Sequence, residues 1–217
     1  MTPFEIKDCI LLVRMSNLLP AVNLRELRDR LAVCDENVLY HHFCETPLRA
    51  IFDAPDYRND FAVWVYKYLG DPALAEKLGI LDPYDFPSFE ELRYVVLDIL
   101  DERLSELPMV PWARPGDEFS FKQATTVVFD TGERIVDPRE LAPAIRVMTN
   151  GSVYYHFLEA RRRPPVGMDD FSAWLSQAGP EYDRYAQALG TIDYYFHSMV
   201  HLRADILRAL AEAEGPR

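Results

Sequence analysis

Apolar residues recur at two different periods along this chain, and the two periods come in alternating blocks. Two short aliphatic or β-branched runs, Ile10-Leu11-Leu12-Val13 and TTVVF at 125–129, read as strands. In the second, the turn signal Asp130-Thr131-Gly132 stands before ERIV and predicts a β-hairpin. Asn23 and Asp137 then stand as helix N-caps, with Pro138 suited to a first helical turn. Behind Asn23, residues Leu24, Leu27, Leu31 and Val33 follow a broadly helical spacing. A second helix is predicted to carry LYHHF, a third to start at NDFAVW, and a fourth and fifth to follow from 73 and 89. Asp35 or Asn37, and Asn150 or Ser152, are candidate caps for the histidine-bearing helices.

This pattern occurs twice. ENVLYHHF at 36–43 returns as NGSVYYHF at 150–157, FEIK at 4–7 as FSFK at 119–122, and NDFAVW at 59–64 as DDFSAW at 169–174. The order is kept and the offset is nearly constant, which predicts a tandem duplication. The fold expected is α+β and mostly α, with two homologous repeats. Each would be a short β-hairpin followed by about four helices, the hairpins free to join in one small antiparallel sheet. The repeats are bounded at 1–104 and 119–217, with the Pro-rich segment 105–118 as linker. Trp112 in that linker is expected to be buried, which would pack the repeats together.

Composition narrows the function classes. Against 23 Lys and Arg stand 35 Asp and Glu, a formal charge of −12. Nucleic acid and anionic membranes are poor partners for such a chain. No apolar run is long enough to span a bilayer, and the first residues lack a basic, cleavable leader, so a cytoplasmic protein is expected. The cysteines Cys9, Cys34 and Cys44 show no C-x-x-C spacing and read as buried thiols of a reducing compartment.

The candidate chemistry lies in the repeated residues. His42 with Leu39 and Phe43, and His156 with Val153, Phe157 and Ala160, share one helical face. Each histidine therefore belongs to an apolar stripe. One reading is a hydrogen-bonded core histidine; the other is an acid–base or ligand-binding group at a pocket. Asp60 and Asp170 read as caps for the helices bearing Phe61/Trp64 and Phe171/Trp174, or else as carboxylates orienting the histidines. Arg161, Arg162 and Arg163 form the one basic cluster, beside Tyr155, and would be the first place to seek a small anionic ligand. His41, His42 and Cys44 are sequence neighbours that point different ways. His197 and His201 have a ligand-like spacing but no assured third ligand, so neither group predicts a metal. No cofactor motif is present: there is no glycine-rich phosphate loop, no G-x-S-x-G and no H-E-x-x-H.

RELRDRL at 25–31, LYHHF, VYYHFLEARRR at 153–163, NDFAVW and DDFSAW give the chain a resemblance to the bacterial and archaeal domain of unknown function 5752. The resemblance covers essentially the whole chain. A single-copy archaeal module is similar too, which implies a small autonomous unit of folding. It brings no activity and no catalytic residue. Two functions stay open: a non-enzymatic interaction or regulatory module with a protein partner or as a homodimer, and an enzyme or binder for an anionic ligand using His156, Asp170 and the arginines.

Overall fold

A computed structural model describes residues 2–45, 57–163, 167–194 and 198–214. It is a mostly helical α+β structure. The helices are α1 (Leu24–Leu31), α2 (Glu36–Cys44), α3 (Asp60–Trp64), α4 (Pro72–Gly79), α5 (Phe89–Glu106), α6 (Leu141–Val147), α7 (Asn150–Val153), α8 (Asp170–Ala178), α9 (Asp183–Gly190) and α10 (Met199–Glu214). The strands are β1 (Phe4–Met15) and β2 (Lys122–Ile135), joined as one two-stranded sheet. A π-helical turn extends α3 over Val65–Leu69, and another extends α7 over Tyr154–Leu158.

The expected hairpin at residues 130–132 does not form: β2 runs straight through it. The turn-type residues are used locally instead. Asp130 Oδ1 accepts from the Gly132 amide, whose φ of 82° suits glycine, and both Asp130 oxygens take the Arg134 guanidinium. Thr131 Oγ1 donates to the Ile6 carbonyl at 2.6 Å, which ties this stretch to β1. A short self-closed hairpin is marginal in water, and pairing with a long neighbouring strand wins.

The chain divides into two compact units. One is continuous, Leu12–Thr125. The other is discontinuous and joins Met1–Leu11 to Thr126–Arg217. Both boundaries fall within strands, so β1 starts in the discontinuous unit and β2 starts in the continuous one. The segment 105–118 lies within the continuous unit.

The continuous unit encloses Leu24, Leu27 and Leu31 of α1, Leu39 and Phe43 of α2, Phe61, Leu78, Leu92 and Phe121. Asn23 caps α1 as expected, its side chain accepting from the Glu26 amide. Trp112 is 68% exposed, against expectation. The segment around it is held by its backbone: Ala113 N–H donates to Val22 O at 2.8 Å, and Trp112 bridges to Asn23. The indole is not needed as an anchor.

The discontinuous unit buries Phe4, Ile6, Leu141, Ile145, Tyr154, Phe157, Phe171, Leu202 and Ile206. Asp137 caps a 3-10 turn that begins at Pro138 and leads into α6. The cap of α7 is Thr149 rather than Asn150 or Ser152; its side chain accepts from the Ser152 amide. At Gly151 a Cβ would collide with the Cys9 carbonyl, so glycine is required where α7 meets β1. All three cysteines are buried. Burial pushes the Cys34 thiol up to about 11, against the opposing pull of Arg93.

Candidate functional site: two histidine clips

Asp60 and Asp170 are not the caps of their helices. The residues before them are: Asn59 accepts from the Ala62 amide and Asp169 from the Ser172 amide. This frees Asp60 and Asp170, one position into the helix, to meet the histidines. His42 Nδ1 lies 2.6 Å from Asp60 Oδ2, and His156 Nδ1 lies 2.7 Å from Asp170 Oδ2. Both histidines are 2% exposed.

The second ring nitrogen fixes the tautomer. A peptide N–H can only donate, and the Lys122 amide donates to His42 Nε2 at 3.0 Å. In the other unit the Lys7 amide donates to His156 Nε2 at 2.9 Å. Nε2 is therefore an acceptor in both rings, and Nδ1–H donates to the carboxylate.

The tryptophans of the D-F-x-x-W elements grip the same backbone segments. Trp64 Nε1 donates to Asp117 O at 2.7 Å, and Trp174 Nε1 donates to Thr2 O at 2.9 Å. Asp117 and Lys122 are five residues apart, as are Thr2 and Lys7. Between them a phenylalanine enters each clip. Phe119 lies 4.9 Å from the His42 ring and 5.1 Å from Phe61; Phe4 lies 4.8 Å from the His156 ring and 5.4 Å from Phe171. Each clip thus holds an extended segment by one side chain and two backbone groups. FSFK is held by the helices of 24–106, and FEIK by the helices that follow residue 137.

The arginines separate. Arg163 lies over the Tyr155 ring at 4.1 Å and donates to the Tyr155 hydroxyl at 2.8 Å and to Asp170 Oδ2 at 2.9 Å. Asp170 therefore accepts from both His156 and Arg163. These residues, with Lys7 and Trp174, line an open groove of about 290 Å³. Arg161 faces elsewhere and is buried. Its guanidinium sits 4.6 Å from the Phe157 ring and 4.7 Å from the Tyr194 ring, and reaches Asp169 Oδ2 at 3.3 Å. Burial raises the Asp169 carboxyl above its usual range, against hydrogen bonds from Ser172 and the charge of Arg161. Arg162 is half-buried at the end of a 3-10 turn.

Of the metal-like groupings, His197 lies outside the described residues, and His201 is exposed beside Ser198. His41, His42 and Asp60 each place a ligand-type atom within 4.8 Å of the others. His42 uses both ring nitrogens in the clip, and His41 Nδ1 is 2.6 Å from Glu45 Oε2 in a fully buried pair. The His41–Glu45 pair was not anticipated from the sequence; its i, i+4 spacing on one helix was the available signal. Among the described residues no helix is long and apolar enough to cross a membrane.

Comparison with curated proteins gives no significant match. Among solved structures, OrfY from Thermoproteus tenax superposes with a TM-score of 0.79 at 28% identity, over 99% of this chain and 97% of that one. A family model described as a family of unknown function, DUF5752, matches residues 1–211, and the chain belongs to that family.

Proposed function

We propose that this chain is a non-enzymatic protein-interaction module built by duplication of one helical unit, with the repeats at 1–104 and 119–217 joined through 105–118. On this reading the repeated histidines hold strands in place. The observation that carries it is the saturation of both rings: each has Nδ1 on a carboxylate and Nε2 on a peptide N–H. A histidine so bound has no lone pair or proton to offer a substrate without releasing the strand. The duplication supports the same conclusion, since a folding determinant must be kept in both copies.

Each unit offers exposed apolar strand residues to a partner. Leu12, Val13 and Met15 of β1 are each about half exposed, and Val127, Val128 and Phe129 of β2 are exposed as well. Exposed apolar side chains on these strands suit contact with a protein partner. The test compares the wild type with Leu12→Asp and Val128→Asp, by capture of partners and by light scattering for self-association. Loss of a specific complex at unchanged melting temperature is expected. Retention of the same complexes by both variants, or turnover of a small molecule that requires His156, would overturn the reading.

A second reading, an anionic ligand, is favoured only by the groove that Lys7 and Arg163 line. Its cost is that Arg163 already pairs with Asp170 at 2.9 Å and with Tyr155 at 2.8 Å. Phosphate titration followed at the Lys7 and Arg163 resonances tests it; saturable shifts would restore the reading and their absence would remove it.

A further inference from the structure

The discontinuous unit carries a slot whose counterpart in the continuous unit is filled by the protein's own aromatic rings. Positions are matched from the caps Asn59 and Asp169. Two residues before the caps stand Tyr57 and Gly167; seven residues after them stand Tyr66 and Ser176. The helices α4 and α9 end on Gly79 and Gly190. In the continuous unit the Tyr57 and Tyr66 rings pack 5.2 Å apart, and Tyr57 lies so close to Gly79 that an added Cβ would come within 2.9 Å of its ring. In the discontinuous unit both tyrosines are replaced by small residues, and a Cβ at Gly190 would meet nothing within 4 Å. The result is an open surface groove of about 280 Å³ lined by Gly167, Ser172, Ser176 and Gly190, with Asp169 and Gln187 among its polar groups; Gly167, Ser176, Gln187 and Gly190 are exposed.

The backbone keeps it open. Gly167 has φ of 85°, a conformation no tyrosine adopts readily, whereas no described non-glycine residue, Tyr57 included, has positive φ. The slot therefore cannot be closed by a simple ring at 167. Its size falls at the lower end of small-ligand sites, and its lining mixes apolar surface with polar groups. Arg161 at its edge is neutralised by Asp169 at 3.3 Å, and Asp183 adds a further acid. An anion is disfavoured there.

We infer that this slot is a binding site for an uncharged aromatic ring bearing a hydroxyl, the chemistry that Tyr57 and Tyr66 supply internally in the other unit. The ring comes either from a free phenol or from a tyrosine side chain presented by another molecule. Selectivity rests on the small residues Gly167, Ser172, Ser176 and Gly190 for the ring and on the Ser176, Gln187 and Asp183 acceptors for the hydroxyl.

The test is titration of the full chain with p-cresol and with N-acetyltyrosinamide, followed by amide shifts of Gly167, Ser176 and Gly190. Saturable shifts with at least one probe are expected, and their ratio of affinities tells a free phenol from a tyrosine side chain. Gly190→Leu and Ser176→Tyr should each weaken binding by about tenfold or more while the melting temperature is held. Ser176→Tyr places the tyrosine of the continuous unit at its matching position and stands in if Gly190→Leu does not fold. No saturable shift with either probe, undiminished binding in a folded variant, or equal binding of benzoate would overturn the assignment.

Discussion

The two units keep one feature almost atom for atom and differ in another. In the continuous unit, His42, Asp60 and Trp64 hold the segment that ends at Lys122; in the discontinuous unit, His156, Asp170 and Trp174 hold the segment that ends at Lys7. Beside this shared clip, one unit packs Tyr57 against Tyr66, and the other has an open slot at Gly167 and Ser176. What is kept in both places is the chemistry that closes a core. What differs is surface chemistry, which can change without loss of a fold.

The sharpest way to break the comparison is to remove the anchor ring. Phe4→Ala and Phe119→Ala should each cost about 3–5 kcal/mol, measured by denaturant unfolding, because each ring is buried among aromatic neighbours. A loss in only one variant would show that the two clips are not equivalent. Next come His156→Ala and His42→Ala. Each leaves a peptide N–H and a carboxylate without their partner, at about 1–3 kcal/mol for each orphaned group. Full stability with a lost activity would contradict the strand-holding role.

The caps sharpen the comparison further. Asn59 Nδ2 donates to Leu78 O at 2.8 Å, so Asn59→Asp would set a buried carboxylate against a carbonyl and should cost about 1–3 kcal/mol. The reverse change, Asp169→Asn, takes the carboxylate away from the buried Arg161 guanidinium and the Ser172 hydroxyl, and should also cost about 1–3 kcal/mol. The sign follows from linkage. With the folded pKa raised, the contribution of Asp169 is full below the unfolded value and is lost as pH rises through the folded one. Asp169→Asn should flatten that part of the stability–pH curve, and an unchanged slope would count against it. The smallest effect concerns Cys34, whose thiol at about 11 should resist alkylation at pH 8 and react only on unfolding.

Much of this was legible in the sequence, and the rest was hidden for physical reasons. The apolar spacing of Leu24, Leu27 and Leu31, the cap at Asn23 and the inward turn of His42 and His156 all follow from helical periodicity, a local property. The recurrence of FEIK as FSFK was visible, but not what it docks against. Lys7 and His156 are separated by 149 residues, and nothing in local pattern links them. Asp60 and Asp170 looked like caps because an acid at a helix start usually is one; the preceding Asn59 and Asp169 take that role and release them. The Asp130-Thr131-Gly132 signal failed for a similar reason, as long-range pairing with β1 overrode a local turn. The slot at Gly167 could have been found from sequence alone by asking where NDFAVW is flanked by tyrosine and DDFSAW by glycine or serine.

The central claim is that each histidine is a neutral acceptor clamped onto a strand backbone. It is tested most directly by nitrogen NMR of the imidazole rings in uniformly labelled protein. His42 and His156 should both carry the proton on Nδ1, with Nε2 showing a through-hydrogen-bond coupling to the amides of Lys122 and Lys7. A proton on Nε2, or a ring with no coupling to either amide, would contradict it.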